Sequence, residues 1–293
     1  MMQKLTRRRF GQLAIAGTAG AALSTLASKT FAQPSLVICG VSTNYGASTA
    51  TASPAGRLVM QYLDVTRGLV FDKTTGLVSN QNPPLLKPRE RLTGLSYLSD
   101  GTLVLSSNST KTDGKKTKTT TIKFIGSSLK ELIVLGLAAQ TIESLLVTND
   151  GSLLALVGQS NGAPPFKLAN IDRNTGQISF LNFTLPANQR FNTLAQCPDG
   201  KIYATAIGRL SDTSLVNLDP KRGELRNLAE LNVKGKVWDN GLRSLACSPA
   251  GQLFALGAPR YETTNSVYTI EPHTGDMTLL REFDVNNIAF PPA

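Results

Sequence analysis

The stretch ESLLVTNDGSLLALVG, residues 143–158, consists of two short apolar runs that are joined by an Asp-Gly pair. Asp-Gly between two such runs is typical of a tight β-hairpin turn. Three further stretches have the same form, and their turns end at Gly101, Gly200 and Gly251. Together with Gly151, these glycines are spaced by 50, 49 and 51 residues. The chain therefore contains an internal repeat.

A second turn recurs in the later part of the repeat. It lies in the segments IDRNTGQI, LDPKRGEL and IEPHTGDM, which begin at Ile171, Leu218 and Ile270. A strand-like run precedes and follows each of them, and no part of the repeat has the apolar spacing of a helix. One period of about 50 residues thus holds four short antiparallel strands, which indicates one blade of a β-propeller.

The repeats resemble the broad class of propeller units with the pattern DG-x-L-x-A. The resemblance covers residues 33–293 and implies an all-β fold but no particular activity. Quinone-binding propellers of this class have a docking tryptophan in each blade, whereas this chain contains only Trp238. The resemblance therefore does not imply a quinone cofactor.

The C-terminal segment VNNIAFPPA, residues 285–293, has the form of a first strand without its following turn. The segment QPSLVICGV, residues 33–41, aligns with the second-strand segment 251–258, so that Gly40 matches Gly257. We therefore predict that the C-terminal strand completes the blade that the N-terminal segment begins, which closes the ring and covers two sheet edges. This count gives five four-stranded blades. Six blades are the alternative, because the first blade is irregular.

Residues 1–32 contain the features of a twin-arginine export signal in their usual order. Arg7, Arg8 and Phe10 fit the S/T-R-R-x-F pattern, and a mildly apolar run and a small residue for cleavage follow. The resemblance predicts export to the periplasm or the cell exterior, or to the thylakoid lumen in a source with thylakoids. Residues 33–293 then form a single propeller domain, without stable membrane insertion once the signal is cleaved; retention of the signal as an anchor is the alternative.

The charge of the chain is modest once the signal is removed. The full sequence has 30 basic and 20 acidic residues, and five of the basic residues lie in the signal. The remaining 25 basic residues leave a net charge of about +5, which does not favour a nucleic-acid partner. The lysine-rich segment 111–123 has no interleaved aromatic residue and is interpreted as a solvated loop. We expect the protein to be a monomer. Its expected partner is a small molecule, a glycan or an envelope protein.

The three cysteines permit at most one disulfide in an oxidising compartment. Cys197 lies three residues after Leu194, whereas Cys247 lies two residues after Leu245. Odd and even offsets on strands face opposite sides. We therefore expect buried free thiols rather than a disulfide between these two residues.

The loops of four-stranded blades divide between the two faces of the ring. The turns between strands one and two and between strands three and four are short and lie on one face, so the irregular connections lie on the other. The segments of this loop-rich face are 42–56, 108–120, 159–166 and 258–266. Irregular loops on a rigid scaffold often carry function, and Arg260, Tyr261 and Glu262 are candidate ligand contacts there.

One position of the first strand is polar in every blade. The residues at this position are Thr93, Glu143, Asn192, Arg243 and Asn286. The residue before each of them is apolar, so period-2 geometry predicts that the polar set lines the central funnel. The set either lines a water-filled channel or forms a site, in which Arg243 holds an anionic or sugar group and Glu143 acts as acid or base. It also resembles the oxygen-rich Ca²⁺ ring of some lactonase-type propellers, although Arg243 opposes a cation.

Few other residues suggest catalysis. His273 is the only histidine, and it lies in a turn on the face opposite the loop-rich one. This argues against a Ser-His-Asp triad and against a multi-histidine metal site. The turn aspartates Asp100, Asp150 and Asp199 are interpreted as bonding nearby backbone. We therefore expect a binding or scaffold protein of the cell envelope, with its ligand on the loop-rich face and no cofactor. The alternative is a carboxylate- or Ca²⁺-dependent hydrolase or lactonase with its site in the funnel.

Overall fold

The computed structural model describes residues 36–44, 56–72, 85–86, 90–111, 117–137, 139–159 and 162–292. Within these ranges all regular structure is β-strand and turn. None of the described residues belongs to a helix that could span a membrane. The proposed export signal and the loop residues 45–55 lie outside the described residues.

The strands form five sheets that follow one another along the chain. The first contains β1 (Val37–Asn44), β2 (Gly56–Asp64), β3 (Leu69–Asp72) and the short β4 (Leu85–Leu86), which pairs with β2. The second contains β5 (Arg91–Tyr97), β6 (Leu103–Lys111), β7 (Thr117–Ile125) and β8 (Leu129–Ile133). The third contains β9 (Gln140–Val147), β10 (Leu153–Gln159), β11 (Lys167–Ile171) and β12 (Ile178–Phe180). The fourth contains β13 (Arg190–Gln196), β14 (Ile202–Ile207), β15 (Thr213–Asp219) and β16 (Glu224–Glu230).

A small hairpin of β17 (Asn232–Val233) and β18 (Lys236–Val237) leads to the fifth sheet. That sheet contains β19 (Ser244–Cys247), β20 (Leu253–Gly257), β21 (Ser266–Ile270) and β22 (Met277–Glu282). The last strand is β23 (Asn287–Ala289). All pairs of neighbouring strands within these blades are antiparallel.

The C-terminal strand completes the first blade, as predicted. β23 pairs with β1, and Ile288 lies opposite Gly40. The innermost strands contact one another in the order β23, β5, β9, β13, β19 and back to β23. The ring therefore has five blades, and the six-blade alternative is wrong. The register differs by two residues from the sequence alignment, because Leu245, the counterpart of Ile288, lies opposite Ala255 rather than Gly257.

Five apolar clusters hold the ring together, and each lies between two neighbouring blades. In blade three, Leu145 packs against blade two, whereas the adjacent Leu146 packs against blade four. This alternation follows from the period of a strand. The apolar residues that precede the polar set are all buried, namely Leu92, Ile142, Phe191, Leu242 and Val285. Full burial of one large apolar side chain contributes about 1.5–3 kcal/mol, so the contacts between blades are a main source of stability.

The aspartates of the hairpin turns bond nearby backbone, as predicted. Asp100 Oδ1 accepts a hydrogen bond from the N–H of Thr102 at 2.8 Å. Asp199 Oδ1 accepts one from the N–H of Lys201 at 3.1 Å. The hydrogen bond from the Thr102 backbone lowers the pKa of Asp100. These carboxylates stabilise the turns.

Two glycines of the second turns allow neighbouring blades to bond through their backbones. The N–H of Asn232 donates to the carbonyl of Gly275 at 3.0 Å, and the N–H of Leu135 donates to that of Gly176 at 2.9 Å. A Cβ at Gly275 would overlap the carbonyl oxygen of Glu230. These bonds connect blade four to blade five and blade two to blade three.

Cys197 and Cys247 form a disulfide with their Cα atoms 5.1 Å apart, so the prediction of two free thiols is wrong. Alternation along a strand does not apply to Cys197, because it follows the last residue of β13 and its N–H bonds to Lys201 in the turn. The two residues also belong to different blades, whose inner strands meet at this end. Cys39 is a buried free thiol.

Candidate functional site

All five residues of the predicted funnel set line one cavity of about 790 Å³. They are Thr93, Glu143, Asn192, Arg243 and Asn286. Segments of the loop-rich face complete the walls, including Ala258 and Thr263. The side chains that the repeat placed at equivalent positions therefore converge at the centre of the ring.

Only one of the three loop-face candidates, Arg260, Tyr261 and Glu262, lines the cavity. Glu262 lines the cavity, whereas Arg260 and Tyr261 are not among its lining residues. Tyr261 is 91% exposed, and the Arg260 guanidinium lies over its ring at 5.4 Å. Of this group, only Glu262 is placed to contact a molecule inside the cavity.

In blades two, three and four, the register of the inner strand shifts at the polar position. Thr93 is an extra residue between Leu92 and Gly94, which pair with adjacent residues of β6. Glu143 is the extra residue in blade three, and the register of blade four shifts in the segment that contains Asn192. A bulge redirects a side chain and bends its strand. In these three blades the polar residue therefore reaches the cavity through an irregular backbone rather than through simple alternation.

Two asparagines of the set are held by the protein itself. Asn192 Nδ2 donates to the carbonyl of Leu242 at 2.6 Å, and its Oδ1 accepts a hydrogen bond from Thr205. Asn286 Oδ1 accepts a hydrogen bond from the N–H of Thr43 at 3.0 Å. These bonds fix the wall of the cavity and connect neighbouring strands, so both residues have a structural role.

The carboxylate of Glu143 is nearly buried and is bonded at both oxygens. Its side chain is 6% exposed, and Arg91 Nη2 lies 2.7 Å from Oε2. Thr141 Oγ1 donates to Oε1 at 2.8 Å. The ion pair connects blades two and three across the cavity wall.

Two arginines line the cavity without an acidic partner among the described residues, Arg190 and Arg243. Arg190 Nη2 and Glu143 Oε2 both lie close to Gly162. A Cβ built on Gly162 would be 3.3 Å from the nitrogen and 2.9 Å from the oxygen, so the two side chains are near each other. It nevertheless makes no ion pair with Glu143, which is already bonded to Arg91. Arg190 and Arg243 therefore line the cavity without an ion pair among the described residues, and Glu262 adds a carboxylate to the same lining.

Arg190 and Arg91 line the cavity but were not predicted as site residues from the sequence. Each lies two positions before a member of the polar set, Asn192 in blade four and Thr93 in blade two. Residues two apart share a face only on a regular strand, and the register shifts at Thr93 and near Asn192 interrupt that period. Whether either arginine has an acidic partner depends on the neighbouring blade and could not be predicted.

Glu90 also lines the cavity and pairs with a fully buried lysine, Lys123. Lys123 Nζ lies 3.1 Å from Glu90 Oε1 and 3.6 Å from Glu131 Oε1. Ser107 Oγ donates a further hydrogen bond to Glu90. The interpretation of segment 111–123 as a solvated loop is therefore wrong for Lys123, which lies in β7.

The donors of the polar set do not fit Ca²⁺, which takes about six to eight oxygen ligands. The Oδ1 atoms of Asn192 and Asn286 accept hydrogen bonds from the protein, and Glu143 is paired with Arg91. Arg243 adds a positive charge to the same ring. In the part of the chain that the structure describes, no group of three or more His, Cys, Asp or Glu side chains could hold a metal ion.

No family model and no curated protein matches this chain. Its fold is similar to that of a protein of unknown function from Dyadobacter fermentans, with a TM-score of 0.50, 12% identity, and coverage of 81% of this chain and 75% of that one. The periplasmic gluconolactonase of Pseudomonas aeruginosa gives a TM-score of 0.43 at 15% identity, with coverage of 88% and 98%. A protein of unknown function from Bacteroides caccae gives a TM-score of 0.47 at 11% identity, with coverage of 88% of this chain and 100% of that one. At these identities the likeness shows the fold alone.

Proposed function

We propose that this protein binds a small anionic molecule in the central cavity, as a non-catalytic binding protein of the cell envelope. The observation that carries the proposal is the pair of arginines, Arg190 and Arg243, that line the cavity without an acidic partner among the described residues. Guanidinium groups bind carboxylate and phosphate strongly, because several N–H donors match the oxygens of the anion. An anion in the cavity would pair with the positive charge of either residue.

The size and construction of the cavity support a small-molecule ligand. Its volume of about 790 Å³ lies within the usual range for such sites, about 300–1,000 Å³. Its walls are the inner strands of a closed ring, and Asn192 and Asn286 are already fixed by hydrogen bonds. A rigid wall lowers the entropy that is lost when a ligand binds.

A hydrolase that uses carboxylates is the second candidate, because Glu143 and Glu262 both line the cavity. Hydrolysis of a glycosidic bond commonly requires two carboxyl groups that flank it. An acid or base, however, must be able to exchange a proton with the substrate. Both oxygens of Glu143 are bonded, to Arg91 and to Thr141, so the structure supports binding better than catalysis.

The ligand site is tested by thermal unfolding with acetate, sulfate, phosphate and D-glucuronate, since a ligand of the native state raises the melting temperature. We expect at least one anion to stabilise the wild type and the double variant Arg190→Gln plus Arg243→Gln to lose that effect. Arg226→Gln is the matched control, because Arg226 pairs with Glu224 on the outer strand β16. A shift that survives in the double variant, or no shift with any anion, would contradict the proposal.

We also propose that the protein reaches the cell envelope by the twin-arginine route. The double variant Arg7→Lys plus Arg8→Lys keeps the charge but removes the recognised pair. Cell fractionation should then find the uncleaved precursor in the cytoplasm. Undiminished export of this variant would indicate a different route.

A further inference from the structure

Glu143 belongs to blade three, and the blades on either side each place an arginine at the start of the inner strand. Arg91 is the first residue of β5 in blade two, and Arg190 is the first residue of β13 in blade four. Both arginines line the cavity together with Glu143. One carboxylate of the cavity wall therefore has a guanidinium group on each of the two neighbouring blades.

The carboxylate of Glu143 is held by Arg91. Arg91 Nη2 lies 2.7 Å from Oε2, and Thr141 Oγ1 donates a hydrogen bond to Oε1 at 2.8 Å. The side chain of Glu143 is only 6% exposed. Removal of one partner from a buried ion pair leaves an uncompensated charge, which is strongly unfavourable. Glu143 therefore requires a cationic partner.

Arg190 lies just beyond ion-pair distance of the same carboxylate. A Cβ built on Gly162 would be 2.9 Å from Glu143 Oε2 and 3.3 Å from Arg190 Nη2, so these two atoms lie within about 6 Å of each other, where charges still interact appreciably. The side chain of Arg190 is exposed. Exposed side chains change rotamer readily, so Arg190 can reach Oε2 with a small movement.

Arg91 extends from a segment of the chain that is firmly held. Its neighbour Glu90 is 1% exposed, and Lys123 Nζ lies 3.1 Å from Glu90 Oε1. Ser107 Oγ donates a further hydrogen bond to this carboxylate. These contacts fix the start of β5, so Arg91 reaches Glu143 from a defined position.

We infer that Arg91 is a positioning residue, which keeps Arg190 available to the anion by occupying Glu143. Without Arg91, the carboxylate would pair with Arg190 and would compete with any anion for that guanidinium group. The Arg91 charge also compensates that of Glu143, which would otherwise repel an anion bound to Arg190. The inference deepens the proposed anion-binding function, and its binding test rests on that function.

A crystal structure of the variant Arg91→Gln tests the transfer of the carboxylate without any ligand. We expect the Arg190 guanidinium to lie within about 3 Å of the Glu143 carboxylate, the distance of a charge-assisted hydrogen bond. Arg226→Gln is the matched control, because Arg226 is similarly exposed, 67% against 64%, and pairs with Glu224 at 2.8 Å. An Arg190 side chain that does not approach Glu143 in the Arg91 variant overturns the inference.

Isothermal titration calorimetry tests the consequence for binding, with acetate, sulfate, phosphate and D-glucuronate as probes. We expect Arg91→Gln to weaken the binding of the tightest of these anions at least about tenfold, since hydrogen bonds to charged groups are worth that much or more. The double variant Arg91→Gln plus Glu143→Gln should regain the affinity of the wild type, because Arg190 is available again. If Arg91 itself bound the anion, the second substitution could not restore the affinity, and the inference would be wrong.

The folding of the variants decides the remaining outcomes. If Arg91→Gln unfolds while the double variant folds, Glu143 has stayed unpaired and Arg190 cannot replace Arg91, which overturns the inference. If neither folds, Arg91 supports the fold independently of Glu143, which also overturns it. Absence of anion binding by the wild type overturns the proposed function, whereas the transfer of Glu143 to Arg190 is decided by the crystal structure alone.

Discussion

Burial and pairing give the three cysteines different chemistry. Cys197 and Cys247 are joined, whereas Cys39 is a free thiol with no exposed surface. Burial raises the pKa of Cys39 to about 11, although hydrogen bonds with Tyr97 and Tyr62 act in the opposite direction. Because the thiolate is the reactive form of cysteine, Cys39 should be inert in the folded protein near neutral pH.

We predict a stepwise thiol count with a colorimetric thiol reagent at about pH 8, where an ordinary cysteine is partly ionised. The folded protein should react at no cysteine, the unfolded protein without reductant at one, and the unfolded and reduced protein at all three. A Cys39→Ala variant should show no reactive thiol when folded, none when unfolded without reductant, and two when unfolded and reduced. Three reactive thiols in the unfolded, unreduced protein would show that the disulfide is absent.

Turn glycines at equivalent positions of the repeat have different surroundings. The sequence predicts the turns but not these surroundings. Gly223 and Gly275 occupy the same place in the second turns of blades four and five, with φ of 70° and 76°. A Cβ at Gly223 would meet no atom within 4 Å, whereas one at Gly275 would overlap the backbone of Glu230. The repeat predicts both turns, but the proximity of another blade is a tertiary property.

We predict that Gly275→Ala destabilises the protein more than Gly223→Ala. Both substitutions place alanine at positive φ, at a cost of about 1–2 kcal/mol. Gly275→Ala must also displace the backbone of blade four and weaken the bond from Asn232, which adds about 2 kcal/mol. Urea unfolding of the two variants measures the difference. Equal free energies of unfolding would indicate that the contact between the blades is unimportant.

The inner strands show how much of the site the sequence could reveal. The repeat placed Glu143 and Arg243 at equivalent positions, and both line the cavity. The bulge at Glu143 could not be predicted, because a bulge adds a residue without changing the apolar pattern that precedes it.

At the scale of the whole molecule, the ring could be predicted because each repeat carries its own turns and its own apolar runs. The matching of the C-terminal strand with the first blade followed from the same pattern, and the pairing of Ile288 with Gly40 confirms it. The disulfide could not be deduced in this way. Cys197 and Cys247 are 50 residues apart, about one repeat, and they meet because successive blades turn about a common axis.

We predict that deletion of residues 286–293 makes the protein insoluble or much less stable. The deletion removes β23, exposes the inner edge of β1 and takes the fully buried Ile288 out of the cluster between blades five and one. Deletion of residues 291–293 alone is the control, because it keeps β23 intact. Thermal unfolding compares the two truncated proteins with the wild type. Equal melting of all three would rule out closure by the last strand.

The pairing of β23 with β1 also means that the fold does not depend on which blade contains the chain termini. The two strands are antiparallel, so the residue after β23 and the residue before β1 lie at the same end of one sheet. A short Asp-Gly linker from residue 290 to residue 36 could join them, with new termini at the exposed turn of Gly223. We expect this circular permutant to keep the circular dichroism spectrum and the cooperative unfolding of the parent. Blade four, rather than blade one, would then be assembled from the two ends of the chain.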